Sequence, residues 1–259
     1  MYTGIELNFA ENGVATLELN RPEIHNAFDD AMIANLNNAM QEIASRGNVN
    51  LLVLKGRGKS FSAGADLNWM KRMSNYDHDQ NLQDAMSLAS MLQRLNELPC
   101  TSIAAVQGAA MGGGVGLASC CDYVIATASA KFALSEVRLG LLPATISPYV
   151  IAAIGQRQSR RYMLTGERFG TIEAHRIGLV HEICEDECLE QRTQEVVRQF
   201  LQCGPQARKA TKSLIRNVAD QSIDQELLQY TAGQIASIRS TDEGREGVAA
   251  FLNRRKPDW

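Results

Sequence analysis

Apolar and polar residues alternate over Val14–Leu19, directly after Asn12-Gly13, and this period-two pattern behind a turn predicts a strand. Leu51–Leu54 and Ser102–Val106 are short, continuously apolar runs bounded by Gly or Pro, as in strands buried on both faces. Asp29–Ser45 carries apolar side chains at 32, 33, 36, 39, 40 and 43, a helical stripe with Asp29 or Asp30 as N-cap. Gln80–Leu98 repeats the stripe at 82, 85, 86, 88, 89, 92 and 95 and stops before Pro99. Strand, helix, strand, helix, strand defines an α/β core. Asp122–Ala126 and Lys131–Leu134 read as two more short strands, with an apolar helix over Val115–Cys121 before them. Beyond them the pattern is mostly helical: Ser159–Thr165, Ile172–Gly178, Cys188–Gln202, Gln206–Val218, Ile223–Ser237 and Glu243–Leu252. No Pro/Ser-rich linker interrupts the chain, so we expect a sheet-bearing core over 1–195 with a helical C-terminal region, 196–259, packed on it.

Composition narrows the function classes. The 259 residues include 26 Lys plus Arg and 29 Asp plus Glu, a formal net charge of −3. A general nucleic-acid binder needs a basic footprint, which this balance does not supply. No run of about 18 apolar residues predicts a membrane span, and the start, with Glu6 and no basic-then-apolar layout, predicts neither a signal nor a transit peptide. Six cysteines at 100, 120, 121, 184, 188 and 203 do not form a disulfide framework pattern, and the four histidines have no metal-ligand spacing. The expectation is a cytoplasmic, metal-free protein with no nucleic-acid or membrane partner.

Several glycine motifs fail on inspection. Gly58-Lys59-Ser60 resembles the end of a phosphate loop, but Val53 stands where the first glycine is required. A dinucleotide fingerprint starting at Gly112 would need its last glycine where Leu117 stands, and no G-x-S-x-G elbow occurs. Two segments remain, Phe61–Leu67 and Gly108–Gly114. The second follows a predicted strand and opens a predicted helix, a place where backbone N–H groups can point into a cleft. One N–H from each segment would make a two-donor oxyanion hole. The other reading is that these glycines only allow tight packing.

Four ordered motifs carry a resemblance across the whole chain. They are Asn20-Arg21-Pro22…Asn26-Ala27, Phe61-Ser-Ala-Gly-Ala-Asp66-Leu67, Gln107-Gly108…Gly112-Gly-Gly114…Cys121-Asp122 and Phe132-Ala-Leu-Ser-Glu136-Val-Arg-Leu-Gly140. With Ala249-Ala-Phe251…Arg254-Arg255-Lys256-Pro257 near the end, the sequence resembles the enoyl-CoA hydratase/isomerase (crotonase) superfamily. Within it, Gly64–Met73 and Leu142–Pro148 look most like bacterial 3-methylglutaconyl-CoA hydratases. The resemblance implies a ββα-superhelix core, a helical C-terminal trimerisation region, and a trimer or dimer of trimers (hexamer). It implies an acyl-CoA thioester as substrate, with no cofactor beyond the coenzyme A that the substrate carries. The thioester carbonyl is then expected between the backbone N–H groups of Ala65 and Gly113, where developing enolate charge would be stabilised and each donor is worth ~3 kcal/mol.

The family's hydratases usually carry two glutamates around one water. Glu136 matches one; Gly116 stands in place of the other, and Ser135 replaces the usual Pro before Glu136. One carboxylate can still exchange a proton with the carbon skeleton, and Gly116 leaves room in which a branched or carboxylated acyl group is expected. Arg138 is a candidate partner for a distal substrate carboxylate. The resemblance also places Arg21 near the coenzyme A phosphates, backbone around Ala63, Ala65 and Gly112 along the ligand, and Arg254 or Lys256 on a phosphate, including across a subunit boundary. Asp66 is expected to orient its loop. Hydration of a branched 2-enoyl-CoA is the first reading, Δ3,Δ2-enoyl-CoA isomerisation the second, and a catalytically silent CoA-binding scaffold a third.

Overall fold

The computed structural model of the protein describes residues 2–259. Its main sheet has the order β1-β2-β3-β4-β6-β9, with β1 (Ile5–Phe9), β2 (Val14–Leu19), β3 (Leu51–Gly56), β4 (Thr101–Val106), β6 (Tyr123–Thr127) and β9 (Glu182–Cys184). Only β1 and β2 pair antiparallel, with Ile5 opposite Leu19; the other pairings are parallel. Side-chain alternation sends Leu52 and Leu54 of β3 to one face and Leu51 and Val53 to the other. The first face meets α1 (Asp30–Ser45) through Met32, Ile33 and Leu36, and α3 (His78–Asn96) through Leu92 and Leu95. The second meets Val196 and Val197 of α7 (Leu189–Leu201). Both faces are therefore covered, which is why the predicted strands read as apolar runs.

A smaller sheet, β5-β7-β8, stands beside it: β5 (Ala109–Met111), β7 (Lys131–Ala133) and β8 (Arg168–Gly170). Phe132 and Phe169 stack across it, with Tyr162 against Phe169. Between β5 and β6 lies α4 (Gly113–Cys120), and α2 (Leu67–Met73) follows the 61–66 loop. The remaining helices are α5 (Ser147–Thr165), α6 (Thr171–Arg176), α8 (Pro205–Val218), α9 (Gln225–Arg239) and α10 (Asp242–Leu252).

The structure corrects several expectations. The boundary at 195/196 falls inside α7, an unbroken helix whose Val196 and Val197 pack on the main sheet, so the core runs to Leu201. The helix predicted at Ser159 is the second half of α5, which starts at Ser147 with Pro148 in its first turn and breaks at Gly155, φ 71°. The part after 134 is mostly helical as expected, and it adds the strands β8 and β9, whose three residues are too few to show alternation. The last three helices expose apolar side chains, Ile215 at 61%, Leu228 at 53% and Phe251 at 82%. Among the described residues no helix is long and apolar enough to cross a membrane.

Candidate active site

The motif around Asn26 is an anchor. Its side chain is fully buried; Nδ2 donates to the carbonyls of Arg57 and Ser60 at 2.9 and 2.8 Å, and Oδ1 accepts from the Arg21 N–H at 2.9 Å. His25 and Asn26 both sit at φ 54°, a left-handed conformation costing ~1–3 kcal/mol that these bonds hold in place. The anchored turn then receives the 61–66 loop: the Ala63 N–H donates to the His25 carbonyl, the Phe28 N–H to the Gly64 carbonyl, and the Asp66 N–H to the Phe28 carbonyl. Ser62 completes the frame. Its N–H donates to the Ala109 carbonyl, its carbonyl accepts from the Met111 N–H, and its Oγ donates to the Asn26 carbonyl.

Those bonds bring the two glycine segments side by side. Gly64 turns at φ 88°, and a Cβ there would lie 2.9 Å from the Met111 carbonyl oxygen and 3.9 Å from the Gly113 nitrogen. Gly112, φ 50°, ends β5 and caps α4, so Gly113 is the first residue of that helix. Among the described residues neither the Ala65 nor the Gly113 N–H has a protein acceptor. Both are therefore available to a ligand, and the α4 dipole adds positive potential at Gly113.

Glu136 closes this site from the 3-10 turn Glu136–Leu139. Its Oε1 lies 2.9 Å from where a Cβ on Gly112 would stand, and its Oε2 is buried with no partner among the described residues. Desolvation by burial pushes its carboxyl above the ordinary carboxylate range. A desolvated carboxylate beside two free backbone donors can move protons at a carbon next to a polarised carbonyl.

The other expected residues fall in different places. Asp66 caps α2, accepting from the N–H groups of Asn68 and Trp69 at 2.8 and 3.0 Å. The Arg21 guanidinium pairs with Asp29 at 2.8 Å and Asp66 at 3.5 Å and donates to the Ala27 carbonyl, so it ties the loop. The room expected at Gly116 is corrected. A Cβ there would overlap Cγ2 of Ile146 and lie 2.9 Å from its Cβ, so Ile146 fills that volume. Arg138 and Ala63 line a cavity of about 720 Å³ with His25, Lys131 and Arg168, whose lining holds no carboxylate. His25 Nδ1 is 3.0 Å from Ser60 Oγ on the same wall. Arg254 and Lys256 are not on that lining; they lie past α10, where Arg255 pairs with Glu246 and Trp259 Nε1 donates to the Gln202 carbonyl. Sequence reasoning missed His25, Lys131 and Arg168, lone polar side chains in turns and short strands with no local pattern to mark them.

Two backbone N–H groups without protein acceptors among the described residues, beside a glutamate whose Oε2 is buried, are set in a crotonase fold. Residues 9–259 match the family model for enoyl-CoA hydratase/isomerase. The chain belongs to that family. A solved enoyl-CoA hydratase from Shewanella pealeana ATCC 700345 is 42% identical, covers 100% of this chain and 97% of its own, and superposes with a TM-score of 0.95. The 2,3-dehydroadipyl-CoA hydratase of Escherichia coli K12 is 31% identical over 248 residues, 95% of this chain and 94% of that protein. The 1,2-epoxyphenylacetyl-CoA isomerase of the same strain is 33% identical over 259 residues, 98% and 97% of the two chains.

Proposed function

We propose that the protein adds water across the 2,3-double bond of a branched or carboxylated enoyl-CoA, such as 3-methylglutaconyl-CoA, or runs the reverse dehydration. The observation that carries this reading is the Glu136 carboxylate against the Gly112–Gly113 turn, its Oε2 buried with no partner among the described residues. The thioester oxygen sits between the N–H groups of Ala65 and Gly113. Water oxygen bonds to C3, the enolate charge collects on the thioester oxygen, and ionised Glu136 takes the water's proton and returns it to C2. Atoms and charge balance with no separate cofactor. The cavity, with Lys131, Arg138 and Arg168 as cations and His25 on the same lining, suits the phosphates of coenzyme A. That company favours a phosphate role for Arg138 over a distal-carboxylate role. The resemblance at Gly64–Met73 and Leu142–Pro148, together with a relative that hydrates a carboxylated enoyl-CoA, supports the substrate class.

A specific observation favours isomerisation as the second reading. Ile146 occupies the place of a second carboxylate, and one base suffices to move a proton from C2 to C4 of a 3-enoyl-CoA. Turnover on crotonyl-, 3-methylcrotonyl-, 3-methylglutaconyl- and 3-enoyl-CoA, with products identified by mass in H₂¹⁸O, decides. A hydroxyacyl-CoA carrying solvent oxygen supports hydration; a shifted double bond supports isomerisation; tight acyl-CoA binding without turnover supports a silent scaffold.

A further inference from the structure

On α4, Gly112 caps the helix and Gly116 stands four residues later, its N–H donating to the Gly112 carbonyl at 3.1 Å, so the two lie about 6 Å apart along the axis. Each is faced by a side chain from far along the chain. The Glu136 carboxylate lies against Gly112, and the Ile146 side chain lies against Gly116, with Leu92 Cδ2 3.7 Å from the same point. The Gly113 N–H opens the first turn between them. A thioester carbonyl held at that N–H, with C2 and C3 beside Glu136, directs the rest of the acyl chain along α4 toward Ile146.

We infer that Ile146 is the specificity-determining residue at the acyl end of the site, the wall that limits what lies beyond C3. This rests on the enoyl-CoA reading of the site. Three features make Ile146 a wall and not a movable side chain. It is 2% exposed and packed in the core with Leu92 and Val150. Its backbone starts α5, with the Val150 N–H donating to its carbonyl at 3.1 Å. Its β-branched side chain is stiff at χ1. Gly116 and Ile146 therefore form one unit: the glycine has no Cβ because the isoleucine already fills that position.

One methylene in an apolar pocket changes discrimination by roughly 10- to 200-fold. Ile146→Ala removes three carbons, so the ratio of kcat/KM for 2-octenoyl-CoA over crotonyl-CoA is expected to rise by about 10-fold or more. Ile146→Val, which removes one, should shift the same ratio in the same direction by a smaller factor. Gly116→Ala should lower the ratio in the wild-type background and be rescued in the Ile146→Ala background, because the new methyl group then has space. A general loss of packing lowers turnover of both esters and leaves their ratio in place, so the ratio isolates the specificity role. Thermal melts verify folding; if Ile146→Ala does not fold, the Ile146→Val ratio decides. A ratio within about twofold of wild type, or one that falls, in a folded variant overturns the inference. If wild-type protein turns over no enoyl-CoA at all, the enoyl-CoA reading fails first and takes this inference with it.

Discussion

Replacing Glu136 by Gln removes a proton-exchanging group and keeps its size and hydrogen-bonding capacity. General acid–base groups contribute about 10²- to 10⁴-fold, equal to about 2.7–5.4 kcal/mol at 1.36 kcal/mol per decade. Glu136 is the one carboxylate facing the Gly112–Gly113 turn, so kcat should fall by that range or more while acyl-CoA still binds. The same substitution has an opposite effect on stability. Burial raises the folded-state pKa of Glu136 above its ordinary 4.5, so the folded protein holds the proton to higher pH than the unfolded chain. A group shifted this way favours folding at low pH, and that stability is lost as pH rises from about 4.5 through the folded-state value. At pH 7 the ionised, unpartnered Oε2 is therefore a cost, of order 1–3 kcal/mol for a buried acceptor without a donor. Glu136→Gln should raise Tm at pH 7 by a few degrees, at about 2–4 °C per kcal/mol for a chain of this size, and the gain should vanish below about pH 4.5. Steady-state kinetics on the best ester of the panel and melts at pH 7 and pH 4 are the assays. Turnover within a few-fold of wild type removes Glu136 from the proton transfer; a lower Tm at pH 7 shows that its carboxylate is not the desolvated group described here.

The oxyanion donors are best probed at Ala65, because any side chain on Gly113 meets Phe28, whose Cζ is 2.7 Å from the Cβ position. Ala65 is exposed, so Ala65→Pro deletes an N–H with little burial to disturb, and kcat should drop about 10²- to 10³-fold; unchanged kcat in a folded variant refutes a donor role. His181 accepts the Val124 N–H at Nδ1, 3.0 Å, and stacks on Tyr123, with His175 and Asp122 as its charged neighbours. Burial lowers its pKa below 6.5, so the stability it contributes is complete above pH 6.5 and falls as pH drops below that value. His181→Asn, which keeps an acceptor without titrating, should flatten melts between pH 7 and 5.5; an unchanged slope excludes His181. Ile223, Leu228, Ile235 and Phe251 are all exposed on the single chain, and we expect them to be covered between copies, so sedimentation should show a homo-oligomer, with a stable monomer at micromolar concentration as the refuting result.

Much of this arrangement is legible in the sequence because it depends on local pattern. Val14–Leu19 is legible from its alternation, and Leu51–Leu54 and Ser102–Val106 lie where burial on both faces makes a continuous apolar run. The turn at Gly112 is legible because left-handed backbone selects glycine after a strand. Asp29 caps α1 through the Met32 N–H, a bond between residues three apart. The illegible parts depend on partners far away in the chain. Arg21 offers a charge that suits a phosphate, and nothing near it in sequence says that Asp29 and Asp66 already hold it. Gly116 shows the same limit from the other side.

A glycine in sequence reads as empty space, and the two readings of that space, room for ligand or room for protein, differ only by which distant side chain arrives. At Gly112 the arriving group is Glu136, which brings a carboxylate beside the acceptor-free N–H groups; at Gly116 it is Ile146, which brings an apolar side chain. Catalysis through backbone donors, as proposed above, would explain why the informative positions are glycines. Donors without side chains carry no chemical label of their own, and the residues that give the site its acid–base group and its shape come from the 136–146 segment that packs against them. On the proposed reading the sequence motif therefore marks where the reaction is held, while the pairing of α4 glycines with Glu136 and Ile146 would decide which acyl group is held there and how many protein groups can exchange its protons.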